Sequence, residues 1–147
     1  MYASITDKLS KLDKLIGKIK EGSEEIGAIL VFIGVVRGIS PLGKVIRLEY
    51  EAHEKLAQNK LNEILHDVKT KYGIIDAIVE HRKGSVSRGE DIVYVVVASR
   101  YRKEGFKALI EIVERLKREV PIWKKEVTEH GYRWIEEGGS SNNKDEE

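Results

Sequence analysis

Two lysines stand on either side of a proline. Lys117 belongs to Leu116-Lys117-Arg118-Glu119-Val120, and Lys124 to Pro121-Ile122-Trp123-Lys124-Lys125-Glu126. Proline cannot donate a backbone hydrogen bond and forces the preceding residue out of helical geometry, so a helix carrying Lys117 ends at Val120. The chain then turns back as an extended run, and the two lysines approach one another from two directions. Ammonium groups held together disfavour each other's charge, and partial burial, here beside Trp123, acts in the same sense. A lysine tuned in this way serves as acid, base or nucleophile near neutral pH. The same residues also make a cationic helix C-terminus that complements the helix dipole, followed by a basic surface strand. Most lysines are solvated, and spacing alone does not separate the two readings.

A second cation lies at a strand mouth. Arg37 directly follows the apolar run Gly27-Ala28-Ile29-Leu30-Val31-Phe32-Ile33-Gly34-Val35-Val36 and precedes the loop Gly38-Ile39-Ser40-Pro41-Leu42-Gly43. It is well placed to hold an anion; an ordinary surface arginine at a strand end is the commoner case. Residues 100–125 hold nine Lys or Arg and four Glu, while the whole chain of 147 residues has a net charge of only +1. The basic character is concentrated around the lysine pair, as a small anionic ligand requires, and the total gives no case for binding nucleic acid.

Composition excludes whole classes of chemistry. The chain has no cysteine, which removes disulfides, thiolate metal sites, a cysteine nucleophile and any persulfide carried by the chain itself. No apolar run is long enough to span a bilayer, and the N-terminus lacks the apolar core of a signal peptide. The expectation is a soluble, cytoplasmic protein without a membrane partner. Dense charge with one Gln, one Met and no Cys is the pattern of a thermophilic source. The length fits one domain with its own core.

The elements that must position these residues follow from periodicity. Residues 5–20 repeat Ile5, Leu9, Leu12, Leu15, Ile16 and Ile19 at helical spacing, which predicts an amphipathic helix. Residues 27–36 read as a strand buried on both faces, with Gly34 marking a bulge or a close backbone approach. Residues 44–51 alternate as a half-exposed strand forming a hairpin with the one before. A helix over 54–71 buries Leu61, Ile64, Leu65, Val68 and Tyr72, and Gly73 caps it. His53 and His66 have no partner at metal-ligand spacing and read as ordinary. Residues 74–82 are a strand, 83–91 a turn-rich connection, and 92–98 the central strand. A helix over 103–119 turns Phe106, Leu109, Ile110, Val113 and Leu116 inward. Residues 122–128 and 132–135 make a terminal hairpin. Residues 1–137 form one domain and 138–147 (Gly-Gly-Ser-Ser-Asn-Asn-Lys-Asp-Glu-Glu) a disordered tail. The order argues α+β with a largely antiparallel sheet and about three helices.

Two combinations carry the reading further. One is Gly27-Ala28 with Phe32-Ile33-Gly34-Val35-Val36-Arg37. The other runs from His81-Arg82-Lys83-Gly84 through Gly89-Glu90-Asp91, Val95-Val96-Val97-Ala98-Ser99 and Arg102 to Leu116-Lys117 and Pro121-Ile122-Trp123-Lys124-Lys125-Glu126. In this order, over about Gly27 to Glu136, they resemble the large catalytic subunit family of molybdopterin synthase. His-Arg-x-Gly alone is a weak signal; Leu-Lys-x-x-x-Pro-x-Trp-Lys-x-Glu is fairly specific.

The resemblance implies an α/β-hammerhead fold and the conversion of cyclic pyranopterin monophosphate, a pterin, into molybdopterin. Two sulfurs would arrive on the thiocarboxylated C-terminal glycine of a small ubiquitin-like carrier ending in Gly-Gly. No metal or organic cofactor is implied. The implied assembly is a homodimer of this chain within a heterotetramer. Lys117 and Lys124 match the family's active-site lysines, and Arg37 and Arg102 match substrate-pocket arginines, Arg37 serving the neighbouring subunit's site. Glu126 matches an acid that supports the lysine geometry. Tyr101 departs from the pattern, which has histidine before the arginine; it donates a hydrogen bond to phosphate but brings no positive charge. His81-Arg82 also matches family residues and, at a strand end, is assigned no catalytic role. A phosphorylated-ligand binding module, or a non-catalytic partner of a ubiquitin-like tail, would use the same cations without turnover.

Overall fold

A computed structural model describes residues 1–135. In chain order the elements are β1 (Tyr2–Thr6), α1 (Leu12–Lys20), β2 (Ala28–Val35), β3 (Ile39–Ser40), β4 (Gly43–Ala52), α2 (Glu54–Tyr72), β5 (Asp76–Arg82), β6 (Gly84–Ser87), β7 (Asp91–Ser99), α3 (Arg102–Glu119), β8 (Ile122–Thr128) and β9 (Gly131–Ile135). The expected tail, 138–147, lies outside the described residues.

Alternation along β7 organises the first sheet. Val93, Val95 and Val97 point to one side, into a core shared with Leu61, Ile64, Leu65 and Val68 of α2 and with Ala108, Ile112 and Leu116 of α3. Tyr94, Val96 and Ala98 point to the other side, onto Leu15 and Ile19 of α1. A strand covered by helices on both faces reads as an unbroken apolar run, which is why 92–98 was legible as central. The sheet order is β1-β5-β7-β2; β1 runs parallel to β5, and the other pairs are antiparallel. The second sheet, β3-β4-β8-β9 with β6 also on β4, is antiparallel throughout. The architecture is therefore α+β, mostly antiparallel, with three helices among the described residues.

Four expectations are corrected. The N-terminal apolar repeat is a strand followed by a shorter helix. Pairing with β5 captures Tyr2–Thr6, and Glu80 of β5 holds the connection by accepting from Tyr2 Oη (2.7 Å), Ser10 N (2.8 Å) and Ser10 Oγ (2.8 Å). β2 is not buried on both faces: it is the sheet's outer strand, and Ile33 and Val35 are exposed. Its bulge does fall at Gly34/Val35, and a Cβ at Gly34 would stand 2.7 Å from Val93 Cγ1. β4 makes no hairpin with β2, which pairs with β7 instead. The alternating β4 joins the second sheet between β8 and β6, and β6 itself arises inside the expected turn region.

The fourth correction concerns α3. Gly105, Ala108, Ile112 and Leu116 face inward, whereas Phe106 and Ile110 are 52% and 62% exposed. The helix lies so close to β2 that a Cβ at Gly105 would collide with Leu30 Cδ2 and sit 3.2 Å from Ser99 Cβ. Close approach selects small residues for the inner face at the start of the helix, and Phe106 and Ile110 turn outward. In α2, Leu61, Ile64, Leu65 and Val68 are buried and Gly73 ends the helix at φ 65, as expected. Tyr72, by contrast, is only partly buried, and His53, read as an ordinary histidine, caps the start by accepting from Leu56 N. No helix of the described residues is long and apolar enough to cross a membrane.

Candidate active site

α3 stops where the proline requires. Val120 adopts φ −82, ψ 126, extended geometry imposed by the following proline, and β8 begins at Ile122. β8 then runs antiparallel to β4, with Lys124 opposite Tyr50 and Glu126 opposite Leu48. Strand alternation sends Lys124 and Glu126 to the inner face and Trp123 and Lys125 outward. Trp123 is exposed and so does not bury Lys124, contrary to the expectation. Lys125 lies 5.0 Å and 5.7 Å from the ring centroids of Tyr132 and Trp134 and 3.3 Å from Glu49. Of the adjacent lysines, one is a surface residue and one belongs to a site.

That site is a cavity of about 380 Å³ at the seam between the two sheets and the end of α3, a size that suits a small molecule. Lys117, Lys124 and Arg37 all line it, with Glu126. The convergence expected around Pro121 is thus present, and Arg37 joins the lysines of its own chain. The remaining wall is largely apolar, including Phe32, Val93 and Ile122. Glu126 is buried; Ser40 Oγ donates to its Oε1 at 2.5 Å, and Arg133 Nε lies 3.2 Å away. Its described contacts fasten β3, beside the Arg37 loop, and β9 to β8.

Tyr101 and Arg102 are not in this cavity. They flank a separate cleft with Gly27, Ala28, Arg100 and Lys103 at the start of α3, and Tyr101 is 72% exposed. Arg102 and Lys117 are fifteen residues apart on one helix, a separation of about 22 Å at 1.5 Å per residue. Within one chain they cannot hold the same small ligand.

Sequence reasoning passed over His81. It lines the cavity and is 7% exposed. Its Nδ1 is 2.7 Å from the Arg82 carbonyl oxygen, and its ring meets Tyr50 edge-on, centroids 5.2 Å apart. Burial pushes its pKa down to about 4; the Arg82 carbonyl opposes this, and the charges of Lys117 and Lys124 add to it. The lysine pair therefore acts on a third titratable group. His-Arg-x-Gly was the available signal, and its strand-end position gave no hint that the ring turns inward.

These features define a class: an α+β protein that presents two lysines and an arginine to one small-molecule cavity. The chain belongs to the MoaE protein family, whose sequence model matches residues 5–119. It is 39% identical over 114 residues to the molybdopterin synthase catalytic subunit of Pyrococcus abyssi, covering 78% of this chain and 77% of that one. With the subunit of the same name from Bacillus subtilis it shares 38% identity over 131 residues, covering 89% and 82%. The crystal structure of molybdopterin synthase from Staphylococcus aureus superposes with a TM-score of 0.79 at 32% identity, covering 89% and 93%. The fold also matches a complex of subunits 1 and 2 of molybdopterin-converting factor from Helicobacter pylori, TM-score 0.73 at 22% identity, covering 90% and 88%.

Proposed function

We propose that this chain is the catalytic subunit of a molybdopterin synthase, a sulfurtransferase of molybdenum cofactor biosynthesis. It converts cyclic pyranopterin monophosphate into molybdopterin with sulfur from the thiocarboxylated C-terminus of a small ubiquitin-like carrier. The observation that carries this is the meeting of Lys117, Lys124 and Arg37 in one cavity of a family member. Thiocarboxylate, phosphate and the charge that develops as sulfur adds are all anionic, and fixed cations in a partly apolar cavity stabilise them. Lys117 polarises the thiocarboxylate carbonyl or moves protons as sulfur adds; Lys124 and Arg37 hold the substrate anion. Glu126 acts at one remove, by keeping β3 and β9 against β8. Ile33, Val35 and Ile39 make an exposed apolar rim at the same cavity, which suits the docking of a protein tail.

The chain works as a homodimer within a heterotetramer with the carrier, in the cytoplasm, and residues 1–137 act as one catalytic domain. Because Arg37 stands with its own lysines and Arg102 about 22 Å off, the residues that cross to the neighbouring site are Tyr101 and Arg102, not Arg37. The decisive assay combines the chain, the thiocarboxylated carrier and cyclic pyranopterin monophosphate. Molybdopterin formation is expected; binding of both without product would leave a binding module and overturn the enzyme.

A further inference from the structure

The charged groups that line the cavity are mostly cations, and His81 differs from them in kind. Arg37, Lys117 and Lys124 can only donate hydrogen bonds when charged, and the Glu126 carboxylate has its Oε1 engaged by Ser40 and Arg133. His81 offers something else. A carbonyl oxygen only accepts, so the 2.7 Å contact with Arg82 puts the imidazole proton on Nδ1 and leaves the lone pair on Nε2. The edge-on contact with Tyr50 helps to hold the ring in that orientation. Among the described residues no group donates to Nε2. The side chain is more than nine-tenths buried yet forms part of the cavity wall. An acceptor that the protein itself does not satisfy can be met by a donor from the cavity, and this one borders the space that a ligand fills.

Resting on the function proposed above, we infer that Nε2 of His81 accepts a hydrogen bond from an N–H or O–H group of the bound pterin. His81 thereby selects for the heterocycle, while Arg37, Lys117 and Lys124 hold anionic groups. The groups that face it are Lys117 from α3, Lys124 from β8 and Tyr50 from β4. Against two ammonium groups and in a buried position, the imidazole stays neutral down to about pH 4. So weak a base is a poor proton carrier at neutral pH but a permanent acceptor. A carboxylate in its place would accept equally well and would repel the phosphate; the neutral ring does not.

The test is binding to the full-length protein, with cyclic pyranopterin monophosphate and inorganic phosphate as separate probes in titration calorimetry. His81→Phe keeps a ring against Tyr50 and removes both nitrogens. His81→Asn keeps a donor for the Arg82 carbonyl and has no acceptor at the position of Nε2, its own Oδ1 lying closer to the backbone. Both variants are expected to bind phosphate as the wild type does and the pterin about ten- to a hundredfold more weakly. Unchanged pterin affinity in a folded variant overturns the inference, and so does a parallel loss for phosphate, which would make His81 a mere shaper of the cavity. Nitrogen NMR of the wild-type imidazole decides the matter should neither variant fold. The Nε2 resonance should move on addition of the pterin and not of phosphate, and a resonance indifferent to both overturns the inference. Wild-type protein that binds no pterin overturns the proposed function as well, whereas normal wild-type binding with unaffected variants overturns the role of His81 alone.

Discussion

An imidazole that is buried and faces two ammonium groups resists a second proton, and that resistance is measurable. The unfolded His81 titrates near its ordinary 6.5, the folded one at about 4. Between these values the unfolded chain binds more protons, so this residue's contribution is fully present above about pH 6.5 and is lost as pH falls towards 4. The loss is roughly 3 kcal/mol. Urea unfolding at pH 7 and at pH 4.5 should show a steeper acid loss in wild type than in His81→Phe; equal slopes would refute the buried neutral state. The lysines separate differently. Lys117→Ala should reduce turnover by on the order of 10²–10⁴-fold while leaving carrier binding nearly intact. Lys117→Arg should rescue little, because guanidinium does not deprotonate and its planar fork fills space differently. Lys124→Ala should raise KM about tenfold or more as an anion contact is lost, with a loss in kcat beside it. Steady-state kinetics checks all three, and a fully active Lys117→Arg would reduce the site to electrostatics. Lys117 and Lys124 were legible because Pro121 fixes a chain reversal locally. His81 was not, since which way a strand-end ring turns depends on Tyr50 and Arg82, neither of which a period reveals.

At the scale of elements, what was legible is what local sequence decides. The stop of α3, the cap of α2 at Gly73, the bulge at Gly34 and the final hairpin each follow from a residue with a restricted or permissive backbone. What failed depends on distant partners. Apolar residues at Ile5 and Leu9 satisfy helical spacing, but β5 supplies a ladder that local spacing cannot foresee. The phase of α3 failed for a related reason. The apolar residues of the helix placed Phe106 and Ile110 inward, while the sheet accepts Gly105 and Ala108 because the helix lies close to β2. Three substitutions test this phase by thermal or urea unfolding. Ile112→Ala should cost about 2–5 kcal/mol as a core truncation. Gly105→Ala should cost about 1–3 kcal/mol by overpacking against Leu30 and Ser99. Phe106→Ser should stay within about 0.5 kcal/mol, as exposed sites do. A large cost at Phe106 with none at Gly105 would return the helix to the phase read from the sequence.

At the scale of the whole molecule, the cavity exists because two sheets meet beside the end of one helix. β2 supplies the apolar wall, β8 Lys124, β5 His81 and α3 Lys117. The same helix carries Tyr101 and Arg102 at its other end, so its length excludes them from the cavity it completes. If Arg102 serves catalysis, a second copy must deliver it, and subunit mixing tests that geometry. Dimers assembled from Arg102→Ala and Lys117→Ala subunits contain one site with both wild-type residues and one with neither. With random pairing, about a quarter of all sites are intact, and activity should return to about that fraction of wild type. Arg37→Ala mixed with Lys117→Ala should recover nothing, because both residues stand in one chain's cavity and every mixed dimer damages both sites. Had Arg37 been the residue that crosses, the two mixtures would exchange outcomes. Light scattering on the same samples closes the argument, since a monomer that turns over, or two mixtures that both stay inactive, would show that neither arginine is shared.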